Sequence, residues 1–135
     1  MSHGAQARDK AAAGGGVVSV VERPVSSPTY APDVAPALIE LLDRGATGIV
    51  HVVNDGAASR FELALATVAL AGFAGRVTVA TRPEPPNTLA RPSYSVLDTS
   101  TLFESIGRRL PAWEDALARY LKRFTVESSR SRVEG

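Results

Sequence analysis

Three tyrosines, two histidines and thirteen arginines are the side chains of this sequence best suited to proton transfer or anion binding. A tyrosine protonates a carbonyl when a lysine four residues on lowers the phenol pKa. Tyr30, Tyr94 and Tyr120 are followed at that spacing by Val34, Asp98 and Phe124, so the pair is missing. His3 and His51 stand far apart, and with no cysteine in the chain they make no metal-ligand spacing. No G-x-S-x-G elbow presents a serine nucleophile, and His51, inside a strand-like run, reads as structural. The glycines at 14–16 stand before an apolar run. A pyrophosphate cradle needs the opposite order, a strand, then the glycine turn, then a helix. The bias to thirteen arginines over two lysines carries no functional weight, since high-GC coding would give it as readily as anion recognition. Arg91 leads into "RPSYSVLD", residues 91–98, and its planar fork can donate two bonds to phosphate or carboxylate oxygens.

Such side chains need elements to carry them. Residues 4–13, "GAQARDKAAA", favour helix by composition, and "GGG" stops it. "VVSVV" at 17–21 predicts a short buried strand, and "ERPVSSPTYAPD", with three prolines, a loop. Asp33 is placed to cap a helix through "VAPALIELLDRG", with Pro36 in its first turn and Gly45 as its stop. "GIVHVV" at 48–53 predicts a strand that ends in the turn residues "NDG". Ser59 and Glu62 have capping-box spacing for a helix over about 60–71, which Gly72 ends. "RVTVAT" at 76–81 alternates as a strand, and "RPEPPNTLARP" is an irregular loop. Asp98 forms a cap or turn for a helix at 100–106. Pro111 starts a last helix to Phe124, whose Trp113, Leu117, Tyr120, Leu121 and Phe124 share one face, with Trp113 as a core anchor. Residues 125–135 lack apolar periodicity and read as a frayed, disordered tail.

Alternating strands and helices predict an α/β fold with few strands and flanking helices. Three or four strands are thin for a free-standing sheet, so some of them are expected to complete a sheet whose other members lie elsewhere. The 135 residues allow one ordinary domain or a piece of a larger one. With 44% hydrophobic and only 6% aromatic residues, the core must be built from Val, Leu and Ala. A net charge of +1 with scattered basic residues argues against nucleic acid. No run approaches a membrane span or a signal peptide, which makes the cytoplasm the expected location.

In order along the chain, "SPTYAPDVA", "GIVHVVNDG", "RPSYSVLD" and "LPAWEDALARYL" resemble the C-terminal part of the dTDP-4-dehydrorhamnose reductase family of extended short-chain dehydrogenase/reductases. The resemblance runs from about residue 5 to 122. It implies a sugar-nucleotide (substrate) binding domain over 17–124, preceded by the N-terminal helix and glycine stop at 1–16. It also implies a dTDP-sugar ligand and NADPH-dependent reduction of a C4 ketone in deoxysugar biosynthesis. The family's cofactor glycine motif and Tyr/Lys pair lie in an N-terminal Rossmann portion, which this sequence lacks, so the chain alone is expected to be inactive. NADPH, and magnesium between subunits, enter only through the resemblance. A separate Rossmann-containing chain or a homo-oligomer is the implied macromolecular partner. A non-catalytic nucleotide-sugar-binding module or regulatory partner, and an inert fragment, are the alternatives.

The resemblance also nominates site residues. Arg91 corresponds to an arginine that contacts the diphosphate in related nucleotide-sugar enzymes; the plain alternative is a surface arginine paired with a nearby carboxylate. Tyr94 would line the nucleotide pocket or sit as a half-buried strand residue. Ser27 and Thr29 match the family's "SPT" turn, which is more often structural. Where the family carries Asp-Asp-Gln-x-Gly before that turn, this chain has Glu22, Arg23, Pro24, Val25 and Ser26, and so lacks the loop's Gln and Gly.

Overall fold

The computed structural model describes residues 16–86 and 89–133, with side chains to 125. The expected helix at 4–13 lies outside the described residues. In chain order the elements are β1 (Gly16–Val21), β2 (Val25–Ser26), α1 (Ala31–Asp43), β3 (Ala58–Ser59), α2 (Arg60–Leu70), β4 (Val77–Arg82), α3 (Ser100–Ile106) and α4 (Trp113–Val133). They fall into two compact units. Among the described residues, the strand unit takes 16–24 together with Ala58–Tyr94, and the helix unit takes Val25–Ala57 and 95–133.

In the strand unit, β1 and β4 run parallel in step, from Gly16 opposite Val77 to Val21 opposite Arg82. The β-branched run "GVVSVV" suits a pleated surface, and Val21 and Val77 are buried. Helix α2 packs on both strands. Its start is fixed by Ser59, whose Oγ accepts from the Glu62 N–H at 3.0 Å. Its end is a Schellman motif: the Phe73 N–H reaches the Val68 carbonyl at 2.9 Å and the Gly72 N–H the Ala69 carbonyl at 3.2 Å, with Gly72 at φ +80°. The Ser59 cap and the glycine stop therefore act as the sequence predicts, while the return bond of a capping box, from the Ser59 N–H to the Glu62 carboxylate, is not made among the described residues.

The helix unit holds the larger core. Ala37 and Leu41 of α1, Leu102 and Ile106 of α3 and Leu110 form one buried cluster, with Val34, Val50 and Val52 packed on it. Leu102 is fully buried, and burial of such a side chain contributes about 1.5–3 kcal/mol. Trp113 is the anchor expected from its place at the start of α4 and is buried. Its ring lies so close beneath Gly56 that a Cβ there would stand 2.9 Å from Trp113 Cδ1. A mutual pair of backbone hydrogen bonds, Asp55 N–H to Pro111 O and Trp113 N–H to Asp55 O, fixes that approach.

Three expectations are corrected. Residues 48–53 form no strand, because the segment finds no ladder partner among the described residues; its valines are spent on the helical core instead. Asp33 is not the cap of α1: the helix begins at Ala31, with Pro32 in its first turn, and the Asp33 carboxylate is turned to other partners. The tail expected from 125 is helical through Val133. With neither Gly nor Pro between Trp113 and Val133, nothing in the chain breaks the ladder once it has started. Among the described residues no helix is long and apolar enough to cross a membrane.

Candidate functional site

In α/β sheets, ligands lie outside the carboxyl ends of parallel strands. β1 ends at Val21 and β4 at Arg82, and there the strand unit opens a cleft of about 420 Å³. Its charged lining is Glu22, Arg23, Arg60, Arg82, Glu84 and Arg91. Arg23 follows β1, Arg82 closes β4, and Arg60 opens α2, so three elements each contribute an arginine to the lining. All six side chains are exposed. None of them makes an ion pair or side-chain hydrogen bond among the described residues.

Arg91 is thus on the cleft, and the carboxylate partner of the plain alternative is not present among the described residues. Tyr94 belongs to the same unit but is 67% exposed, so it is not the half-buried strand residue of the second expectation. Ser27 and Thr29 fall in the helix unit. Thr29 Oγ1 donates to the Ser27 carbonyl at 2.9 Å, and Ser27 Oγ accepts from the Leu97 N–H at 3.1 Å, so both hydroxyls serve the turn.

The helix unit carries a polar hub that no motif announces. Asn54 is 1% exposed. Its Oδ1 accepts from the Tyr30 N–H at 2.7 Å, and its Nδ2 donates to Asp33 Oδ2 at 2.8 Å and to the Pro111 carbonyl at 2.9 Å. Arg119 grips both oxygens of Asp33 at 2.8 and 2.6 Å, reaches Asp115 at 2.9 Å, and lies over the Tyr30 ring. The Arg119 hydrogen bonds hold the Asp33 carboxyl below the usual carboxylate range, against the opposing effect of its burial, with Asn54 adding to the lowering. Asp33 in turn raises the Arg119 pKa. Asp98 is lowered by its hydrogen bonds from Ser100, the turn role expected of it, and Glu40 by Arg108. A second cleft, of about 310 Å³, includes Asp55, Asp98 and Arg109. Its charges are already engaged with one another and with neighbours: Arg109 stands 3.9 Å from Asp55 and over the Phe103 ring.

Cofactor groups are poorly served. The segments after β1 and β4 carry Pro24 and then Pro83, Pro85 and Pro86. Neither is a glycine turn entering a helix, so the described residues do not fit a dinucleotide pyrophosphate cradle. No group of three or more His, Asp or Glu side chains among the described residues could hold a metal, so the magnesium implied by the resemblance finds no ligand set there.

Of this lining, only Arg91 was singled out from the sequence. Arg23, Arg60 and Arg82 could have been found by asking which arginines follow or end parallel strands, but the parallel pairing of β1 with β4 is a long-range fact. The Asn54 hub joins residues 21 to 86 positions apart and leaves no local signature.

Residues 6–126 match the family described as RmlD substrate binding domain. A dTDP-4-dehydrorhamnose reductase from Mycolicibacterium smegmatis is 39% identical over 108 residues, 78% of this chain and 33% of the relative. The spore coat polysaccharide biosynthesis protein SpsK of Bacillus subtilis is 38% identical over 76% of this chain and 36% of its own length. Among solved structures, the dTDP-4-dehydrorhamnose reductase of Bacillus anthracis in complex with NADP superposes with a TM-score of 0.73 at 27% identity, over 87% of this chain and 41% of that one. The chain therefore spans about a third of the two sequence relatives' length and two fifths of that structure's.

Proposed function

Because the chain belongs to the RmlD substrate binding domain family, we propose that it is the substrate-binding part of a reductase of deoxysugar biosynthesis, holding a dTDP-linked 4-keto sugar. Arg91 contacts the diphosphate, and Tyr94 lines the nucleotide side. Ser27 and Thr29 shape the "SPT" turn through their hydrogen bonds to backbone groups. NADPH, which supplies the hydride, and the tyrosine acid belong to a Rossmann portion, on the same polypeptide or on a partner chain. No step of the reduction is assigned to the residues described.

One observation carries this reading: Arg91, in the segment that matches the family, lines the cleft at the carboxyl ends of β1 and β4 and makes no ion pair among the described residues, although Glu22 and Glu84 share the lining. A bidentate guanidinium–phosphate pair is a charge-assisted bond, about twice as strong as a neutral one. Calorimetric titration of the chain with dTDP tests it. Binding that Arg91→Ala weakens about tenfold supports the reading, in line with the loss of roughly 1.5–3 kcal/mol for a hydrogen bond to a charged group. A well-folded chain that binds no dTDP defeats it. The same binding with no reduction, even when a Rossmann portion is supplied, would favour the regulatory or non-catalytic module.

A further inference from the structure

In the helix unit, Arg108, Arg109 and Arg119 are each held by a carboxylate, Glu40, Asp55 and Asp33 respectively. In the strand unit, Arg23, Arg60 and Arg82 converge with Arg91 on one cleft and have no such partner among the described residues. Glu22 and Glu84 share the lining, which leaves an excess of two positive charges, four guanidiniums less two carboxylates. Three elements and the Arg91 segment contribute these arginines to one opening. A concave site with a net charge concentrates ligands of the opposite sign.

We propose that Arg23, Arg60 and Arg82 are ligand-binding residues and that, with Arg91, they form a clamp for a pyrophosphate-bearing anion. This rests on the reading of Arg91 above and extends it to three residues that neither the motifs nor the comparisons assign. Arg23 also bears on specificity. It lies on the cleft directly after β1, so this end of the cleft presents charge rather than a group that suits sugar hydroxyls. A guanidinium offers only donors, whereas Gln and Asp also accept from hydroxyls. Two excess positive charges match the two negative charges of a pyrophosphate diester. The diester could come from a nucleotide-sugar or from a dinucleotide.

The full chain titrated with inorganic pyrophosphate at low and at physiological salt provides the test. Binding is expected to weaken about threefold in each of R23A, R60A and R82A and more than tenfold in the triple variant, and to weaken with salt, because the site is open to screening. Circular dichroism reports folding, and these exposed side chains leave the core intact. E22Q and E84Q, which remove the opposing charges, are expected to tighten binding two- to threefold, an effect no scaffold role for the arginines would give. Competition by dTDP-glucose assigns the pyrophosphate to a nucleotide-sugar, and competition by NADPH alone assigns it to a dinucleotide; both support the clamp. Pyrophosphate affinity unchanged in the triple variant and in E84Q overturns it. If R91A weakens dTDP binding while the triple variant does not, the clamp falls and the Arg91 reading stands. If pyrophosphate binds through Arg23, Arg60 and Arg82 and dTDP gains nothing over it, the nucleotide-sugar reading falls and the clamp stands.

Discussion

Asn54 shows what one buried side chain does with three hydrogen bonds. It satisfies the Tyr30 N–H and the Pro111 carbonyl and orients Asp33, with 1% of its surface exposed. Asn54→Ala would strand buried donors and acceptors, each costing about 1–3 kcal/mol; urea unfolding is expected to show a loss of roughly 2–4 kcal/mol. Asp33 makes the same hub sensitive to acid. Its pKa is lowered in the folded state from the ordinary 3.8, so its contribution is present in full above about that pH and is lost as the pH falls through the lower, folded value. Thermal melting between neutral pH and pH ~3 should show a fall in Tm that is shallower in Asp33→Asn, a variant already less stable at neutral pH. A Tm that falls equally in both would remove Asp33 from the account. Glu40 and Asp98 are lowered too, but they lie at the surface, where water screens such pairs.

At the scale of elements, the ends are better determined than the middles. Ser59, Gly45, Gly72 and Gly107 stop or start helices where the local pattern puts them, because a cap needs only a hydroxyl or a positive φ within a few residues. Two glycines separate conformation from crowding. Gly72 sits at φ +80° with nothing within 4 Å of a built Cβ, so Gly72→Ala should cost only the left-handed backbone, about 1 kcal/mol. Gly56, at φ +94°, would in addition drive its Cβ into the buried Trp113 ring at 2.9 Å. Gly56→Ala should cost more, roughly 2–4 kcal/mol, with altered tryptophan fluorescence. Equal unfolding midpoints for the two variants would show that Trp113 moves aside freely. The predicted strand at 48–53 shows the converse. Its alternation is genuine, yet a strand exists only through a partner, and these valines were claimed by the helical core.

At the scale of the molecule, the two parallel strands found among the described residues, with one helix packed on them, do not by themselves complete an α/β sheet, and the sequence relatives are about three times this chain's matched length. The isolated chain is therefore expected to oxidise no NADPH in the presence of dTDP-4-dehydrorhamnose. Co-expression with the Rossmann portion of a relative should restore turnover; activity in the purified chain alone would show that the hydride site is built from these residues after all. The amino-acid sequence by itself determined the α/β class, the Ser59 cap, the glycine stops and the buried Trp113, since each depends on composition or on residues a few positions apart; the candidacy of Arg91 came from the resemblance of a longer stretch to a family. It could not show that β1 lies parallel to β4, that Arg23, Arg60 and Arg82 join Arg91 on one cleft, or that Asn54 meets Asp33 and Pro111 in a buried hub. Those depend on chain segments tens of residues apart. Their meeting is decided by how the whole set of apolar faces packs, and a single strand or helix holds no record of it.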